Sequence, residues 1–230
     1  MGSMRRMIDR AYSSERGLDT GTDPRAPTSA VLAFVWRKGW QRVRAVLRGY
    51  PTSYFAARVR VRSRLSLALG AGTSIGSGVV LDALSLEGIV LGDRVTIDEG
   101  AVLRGSGVIR NLGTGIRVGD RTSIGAGNFI HGGGGVTIGS DCLLGPRVTI
   151  LSENHVFADP VVPIREQGET RKPVVIGDDV WLGAGATVLA GVTIADHVVV
   201  AAGAVVTNSI EAPGVYGGIP ARRIADRGSN

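Results

Sequence analysis

His155 is the side chain in this 230-residue sequence whose type and surroundings best suit acid–base chemistry. It lies beside Asn154 in a long loop, 151–173, which interrupts a regular pattern and also contains Asp159. Loops longer than about 15 residues in compact domains are usually functional or disordered. Because an imidazole takes up a proton near neutral pH, we expect His155 to act as a general base, with Asn154 and Asp159 contacting the substrate.

The other two histidines, His131 and His197, are far from His155 in the sequence. A histidine metal site normally uses ligands at short spacing, so the sequence predicts no metal. His197 follows Asp196 and is expected in a solvated turn. His131 precedes four glycines and is a weaker candidate for substrate contact.

The elements that must position His155 repeat every six residues, with an aliphatic residue at each repeat that is often followed by glycine. This period fits neither a helix nor a simple strand alternation, and it is typical of a solenoid whose repeats bury their apolar residues by stacking. Three such repeats, each a short strand and a corner, would close one triangular coil. Glycine after the aliphatic residue predicts a positive φ or a close backbone approach. The repeated positions are Leu69, Ile75, Leu81, Leu91, Ile97, Leu103, Val118, Ile124, Ile130, Ile138, Leu144, Ile150, Ile176, Leu182, Val188, Ile194, Val200 and Val206.

The organisation predicted along the chain has four parts: a mobile arm at 1–27, a basic helical and strand cap at 28–66, the solenoid at 67–210 and a C-terminal tail at 211–230. Positive charge is concentrated at the N-terminal end, because residues 1–66 have fourteen Lys or Arg and four Asp or Glu. The lone cysteine, Cys142, falls at an inward position and is expected to be an apolar filler. One cysteine allows no internal disulfide, which favours a reducing compartment.

A helix is predicted from Val31 to Tyr50, with a stripe of apolar residues and arginines elsewhere. We favour the interpretation that this stripe caps the open end of the solenoid, since repeat arrays need caps. The alternative is that a basic amphipathic helix lies on an anionic membrane surface. The apolar residues are Leu32, Val35, Trp36, Trp40, Val43, Val46 and Leu47.

Residues 58–65 alternate arginine with other residues and predict a half-buried strand with a charged edge that blocks pairing with other chains. The alternative is recruitment of an acidic polysaccharide, a lipid-linked sugar phosphate or nucleic acid. Nucleic acid is disfavoured because the strip has no aromatic residues for base stacking. The sequence has no apolar run long enough to span a membrane, so we expect a cytoplasmic protein, at or near the inner membrane face.

Four motifs resemble those of the hexapeptide-repeat acyltransferases: NHVFADP at 154–160, PIREQG at 163–168, KPVVIGDDVWLG at 172–183 and GGIPAR at 217–222. Within that family the chain is similar to the branch of sugar and antibiotic O-acetyltransferases that includes the maltose and galactoside enzymes. The resemblance covers about residues 69–224. It implies an all-β solenoid, a left-handed parallel β-helix of hexapeptide repeats with a short helical cap and a long active-site loop.

The resemblance also implies a homotrimer with acetyl-CoA between neighbouring subunits and His155 as the base on an acceptor hydroxyl. It places Trp181 beside the site, and Gly183, Ala184 and Ala202 along the pantetheine arm. It assigns Arg222 and Arg223 to the CoA phosphates. Asn128 is implied as an acceptor-binding residue.

The segment 1–66 does not match the N-terminal region of the maltose and galactoside enzymes. This departure favours a polysaccharide or lipid-linked glycan over a free sugar as the acceptor. Three alternatives stay open: an antibiotic O-acetyltransferase of the streptogramin or chloramphenicol type, a metal-dependent hexapeptide-repeat protein, and a non-catalytic scaffold.

Overall fold

Strands of two to four residues follow one another from Tyr54 to Ala225 and stack into a three-sided parallel coil. The structure is a computed structural model that describes Asp23 and residues 25–228. Most of the arm predicted at 1–27 therefore lies outside the described residues. None of the helices in the described ranges is long and apolar enough to cross a membrane.

The first face of the coil is a nine-stranded sheet, parallel except for its last pair. Its strands, in spatial order, are Tyr54–Phe55 (β1), Ser74–Ile75 (β4), Thr96–Ile97 (β7), Ser123–Ile124 (β10), Leu143–Leu144 (β13), Trp181–Leu182 (β18), Val198–Val200 (β21), Gly214–Gly217 (β23) and Arg222–Ala225 (β24). The last two strands come from the segment predicted as a C-terminal tail, which thus extends this face.

The second face has seven strands and the third has six. The second contains Arg60–Arg62 (β2), Val80–Asp82 (β5), Val102–Arg104 (β8), Phe129–His131 (β11), Thr149–Leu151 (β14), Thr187–Val188 (β19) and Val205–Val206 (β22). The third contains Leu67–Leu69 (β3), Ile89–Leu91 (β6), Ile116–Val118 (β9), Val136–Ile138 (β12), Val174–Ile176 (β17) and Thr193–Ile194 (β20). A separate antiparallel pair, Glu153–His155 (β15) and Glu169–Arg171 (β16), lies in the long loop.

The core is formed by the six-residue repeat, because every predicted inward position except the partly buried Leu69 is buried. Equivalent residues of successive coils stack in register. Val188, for example, pairs with Ile150 of one neighbouring coil and with Val206 of the other. Cys142 is fully buried among them, as predicted, and burial raises the pKa of its thiol. The predicted register is therefore confirmed.

The corners explain why glycine so often follows the aliphatic residue. A Cβ on Gly139 would lie 2.6 Å from the carbonyl oxygen of Gly177 in the next coil, so close approach excludes a side chain there. Positive φ occurs instead three residues after the aliphatic position, at Asp141, Asp179 and His197 among others. Of the two alternatives for the glycine, close approach is the one observed.

The helix Thr28–Leu47 (α1) packs against β1, but not through its apolar stripe. Its buried residues are Val31 and Ala45, and Lys38 lies with its Nζ 4.5 Å from the ring centroid of Tyr54. The stripe residues are all exposed. The helix does lie at the N-terminal end of the coil, as predicted, but the prediction that its apolar stripe forms the cap is wrong for the single chain.

Strand β2 is the edge of the second face, as the alternating arginines predicted. Arg60 and Arg62 are exposed, and Arg62 pairs with Asp82 at 3.2 Å. The alternation stops at Ser63, which has a φ of 54° and begins a 3₁₀ turn at Arg64–Ser66. Leu65 consequently points to solvent rather than to the core.

Candidate active site

His155 is held on a short antiparallel hairpin that rises from the loop between β14 and β17. In this hairpin β15 pairs with β16, and His155 is opposite Glu169. The amide of Val156 donates to the carbonyl of Gly168 at 3.0 Å and continues the pairing beyond the strands. The loop is thus ordered by backbone pairing, with the imidazole exposed near its end.

A cavity of about 650 Å³ opens next to His155. Its lining combines polar groups with the exposed apolar side chains of Phe157 and Ile164. Such a mixture suits an acceptor that presents both hydroxyl groups and a hydrophobic ring face. The lining residues are Asn154, His155, Val156, Phe157, Ala158, Ile164 and Thr170.

Arg171 fixes the base of the hairpin. Its Nε donates to Oε2 of Glu153 at 2.7 Å, directly across the two strands. Its terminal nitrogens donate to Oδ1 and O of Asn111 and to O of Leu112, at 3.0 to 3.1 Å. Arg171 therefore ties the hairpin to the loop that fills the gap between Leu103 and Val118.

Sequence reasoning missed both Arg171 and Glu153. The signal in the sequence was a glutamate two residues after the start of the loop 151–173 and an arginine two residues before its end. The contacts with 111–112 had no local signal, because they join segments about 60 residues apart.

Asp159, predicted to contact substrate, has its carboxylate engaged within the loop. Its Oδ1 accepts from the amides of Val161 and Val162 at 2.8 and 3.2 Å. The side-chain amide of Gln167 donates to the carbonyls of Asp159 and Val162 and thereby clamps the same turn. These contacts give Asp159 a role in shaping the loop.

Asn128 is almost completely buried, with 1% exposure. Its Nδ2 donates to the carbonyls of Gly125 and Gly145 at 2.7 and 2.8 Å and so joins two successive coils. Within one chain the side chain offers almost no surface to an acceptor. Its two hydrogen bonds give Asn128 a structural role, and the acceptor contact that the resemblance implied stays a prediction.

His131 lies next to the base of the hairpin. It is half-buried and nearly parallel to Phe129, with ring centroids 6.2 Å apart. Burial lowers the pKa of His131, an effect that the nearby Glu153 opposes. The lowered pKa favours the neutral imidazole.

Trp181, Gly183, Ala184 and Ala202 lie on a different part of the coil. Trp181 is exposed on the first face, in register between Leu143 and Val199. The other three residues follow β18 and β21, at the corner that leads from the first face to the second. A Cβ on Gly183 would lie 2.5 Å from the amide nitrogen of Ala202, so the corner admits only glycine there.

The same corner offers free backbone donors. The amides of Ala184 and Ala202 make no hydrogen bond to any other described residue, whereas Gly183 donates to Val200 at 2.7 Å. Two unpaired N–H groups on successive coils lie along one line of the surface. They can serve amide carbonyls of an extended ligand such as the pantetheine arm.

The two C-terminal arginines differ in availability. Arg223 is paired with Asp226, which raises the pKa of its guanidinium. Arg222 is exposed and has no carboxylate partner in the described part of the chain. Arg222 is consequently the better candidate for a phosphate.

Within one chain these groups are not brought together. The loop with His155 leaves the coil between the second and third faces, whereas Ala184 and Ala202 lie between the first and second. The cavity beside His155 has no lining residue from the Trp181 region. Among the described residues there is also no cluster of three His, Cys, Asp or Glu side chains that could hold a metal ion.

Comparison with known proteins shows which classes of protein this chain resembles. Residues 173–208 match the family model described as bacterial transferase hexapeptide (six repeats). In this segment the chain is similar to the hexapeptide-repeat proteins, and the fold class expected from the resemblance, a left-handed parallel β-helix with an N-terminal helix, is confirmed.

The similar proteins are named as acetyltransferases. Galactoside O-acetyltransferase of Escherichia coli (strain K12) is 39% identical over 92 residues, which are 40% of this chain and 44% of that protein. The putative lipopolysaccharide biosynthesis O-acetyl transferase WbbJ of the same strain is 40% identical over 96 residues, 39% of this chain and 49% of that protein. The chain thus spans less than half the length of these two relatives.

A solved structure extends the likeness over more of the fold. AntD, an N-acyltransferase from Bacillus cereus crystallised with dTDP and 3-hydroxybutyryl-CoA, superimposes with a TM-score of 0.54. The superposition covers 76% of this chain and 80% of AntD at 20% sequence identity. At that identity the likeness concerns the fold.

Proposed function

We propose that the protein is an acetyl-CoA-dependent O-acetyltransferase whose acceptor is a sugar hydroxyl in a surface polysaccharide or its lipid-linked precursor. The observation that best supports this function is the exposed His155 at the edge of a cavity, on a hairpin held by Arg171 and Glu153. The similarity to named sugar O-acetyltransferases favours the same reaction class.

In this reaction His155 acts as the general base. A sugar hydroxyl is a poor nucleophile until a base removes its proton during attack, and a positioned imidazole is suited to that step. Acetyl-CoA supplies the acetyl group as a thioester, and the CoA thiol leaves. The chain contributes by holding the acceptor beside His155, so that the reacting groups need not meet by diffusion.

Asn154 is the best placed of the predicted acceptor contacts, since its side chain lines the same cavity and has no partner within the described residues. Phe157 and Ile164 provide apolar surface for the face of a sugar ring. Asp159 contributes through the loop, because its carboxylate closes the turn that follows Phe157.

The residues proposed for CoA fit an extended ligand. The free amides of Ala184 and Ala202 suit the carbonyl groups of the pantetheine arm, and Trp181 supplies a flat apolar surface nearby on the same coils. Arg222 suits a phosphate because its guanidinium is a planar fork of donors. Arg223 is a weaker candidate, since Asp226 already occupies it.

The separation of His155 from these residues supports a site made by two chains. In a closed head-to-tail ring, a loop at one corner of a chain can reach a different corner of its neighbour. The resemblance to the hexapeptide-repeat acyltransferases implies three copies in such a ring. We therefore propose a homotrimer with three sites between neighbours. The proposed location is the cytoplasm, at the inner face of the cytoplasmic membrane where lipid-linked glycans are available.

The test is CoA thiol release from acetyl-CoA by the wild-type protein and His155→Ala, with mono-, oligo- and polysaccharides plus streptogramin and chloramphenicol as acceptors. We expect release with one glycan class and a decrease of about 10²- to 10⁴-fold in His155→Ala. His197→Ala, at an exposed corner, is the matched control and should retain activity.

Several outcomes would contradict the proposal. Equal turnover in His155→Ala would remove His155 from the chemistry. Release only with an antibiotic would replace the glycan acceptor by the antibiotic alternative. Absence of CoA binding in calorimetry would favour a scaffold.

A further inference from the structure

The outward side of α1 carries an unusual apolar surface for the exterior of a single chain. Its residues recur at intervals of three and four, so they share one side of the helix. All of them are at least 43% exposed, and Trp36 and Leu47 reach 70% and 81%. We call this surface the apolar stripe: Leu32, Val35, Trp36, Trp40, Val43, Val46 and Leu47.

A different side of α1 attaches the helix to the coil. Val31 and Ala45 are buried there, and Ala45 belongs to the main core cluster. The cations of Lys38 and Arg42 lie 4.5 and 5.4 Å from the centroid of the Tyr54 ring. Because these contacts anchor the helix, the apolar stripe is free to meet another surface.

The segment that contains the stripe has charged residues of one sign. From residue 24 to residue 81 the sequence has no aspartate or glutamate. The same segment supplies several arginines to a cavity of about 510 Å³, where Arg48, Arg60, Arg62 and Arg64 converge near Tyr50. The basic residues of this segment are Arg25, Arg37, Lys38, Arg42, Arg44, Arg48, Arg58, Arg60, Arg62 and Arg64.

This combination matches a helix that lies in a membrane interface. Such helices bury a Trp- and Leu-containing side at the boundary of headgroups and acyl chains and keep a Lys- and Arg-rich side in water. Tryptophan is favoured at that depth, because its ring is amphipathic. Trp36 and Trp40 lie together on the stripe, with ring centroids 5.9 Å apart.

A second copy of this chain would fit the surface less well. It would bring an equally basic segment towards the first, and like charges in contact oppose association. An anionic lipid surface has the complementary sign, and it accepts apolar side chains without requiring a shaped partner.

We propose that α1 and the arginines of residues 48–64 form a docking surface for an anionic lipid bilayer, with the apolar stripe entering the interface and the arginines binding lipid phosphates. The inference is independent of the proposed activity, because it concerns attachment and not turnover. It assigns to the basic N-terminal segment a partner that the reaction itself does not require.

The experiment uses the full chain and vesicles of phosphatidylcholine with or without phosphatidylglycerol, separated by sedimentation. We expect binding to the anionic vesicles only, weakened by added salt because exposed charges are screened. Trp36→Ser combined with Trp40→Ser should weaken partitioning by about tenfold or more. Arg58→Gln with Arg60→Gln should weaken binding to the anionic vesicles and reduce its dependence on salt.

Leu86→Ser with Ile109→Ser is the matched control, since it removes two apolar side chains that are 74% and 77% exposed on other segments. It should bind as the wild type does. Melting temperature and sedimentation velocity establish that each variant folds and keeps its oligomeric mass.

Three results would overturn the proposal. The first is a wild-type protein that stays in the supernatant with anionic vesicles. The second is equal loss of binding in the control and in the tryptophan variant. The third is a change of oligomeric mass in the tryptophan variant, which would make the stripe an interface between copies.

Discussion

The guanidinium of Arg171 lies 2.7 Å from the carboxylate of Glu153, and this pair closes the hairpin that presents His155. Both side chains are mostly shielded from water, with 20% and 14% exposure. A partly buried pair with further hydrogen bonds to Asn111 and Leu112 holds its geometry better than an exposed surface pair. Arg171 is therefore a positioning residue for His155.

We expect Arg171→Gln to lower kcat for acetyl transfer by about 10- to 100-fold, because small displacements of a catalytic group cost that much. The overall fold should persist, since the coil core does not include Arg171. The measurement is thiol release under saturating acetyl-CoA, together with a melting curve.

Arg165→Gln is the control for this substitution. Arg165 lies in the same loop and pairs with Glu166, but its side chain is 85% exposed. Its variant should remain near wild-type activity. If Arg171→Gln left kcat and its pH dependence unchanged, the ion pair between Arg171 and Glu153 would not be needed to position His155.

The sequence predicts the structural features that a local pattern of residues determines, and it does not predict those that depend on which distant segment covers or contacts a residue. The inward register was predictable because stacking repeats the same aliphatic position, as with Ile150, Val188 and Val206. The face of α1 that meets the coil was not, because a stripe marks where apolar residues lie and not what covers them. The partners of Arg171 were hidden for another reason: Asn111 and Leu112 belong to a distant insertion whose path no repeat fixes.

His131 should make stability depend on pH below neutrality. Burial lowers its folded-state pKa below the ordinary 6.5, with Arg104 and Arg171 acting in the same direction and Glu153 and Glu169 opposing. As the pH falls through 6.5, His131 becomes protonated in the unfolded chain more readily than in the folded chain. The free energy of unfolding therefore decreases with falling pH, and the decrease ends below the folded pKa.

His131→Gln removes this proton uptake, so its loss of stability between about pH 7.5 and about 5.5 should be smaller than that of the wild type. Denaturant unfolding at both pH values is the measurement. His197→Gln removes a histidine at an exposed corner and serves as the control. Equal effects of the two substitutions would mean that burial of His131 is not the cause.

A site shared between two chains can be tested by restoring activity from two inactive variants. His155→Ala removes the proposed base, and Ala202→Glu places a bulky anion at an exposed position of the proposed pantetheine line. Suppose that each site takes His155 from one chain and Ala202 from its neighbour. In randomly mixed oligomers, about half of the sites have an intact His155, and about half of those also have an intact Ala202. About a quarter of the sites therefore contain both intact residues. Co-expressed variants should thus recover about a quarter of wild-type thiol release. A mixture that stays as inactive as each variant alone, although sedimentation shows mixed oligomers, would place both residues in one chain's site.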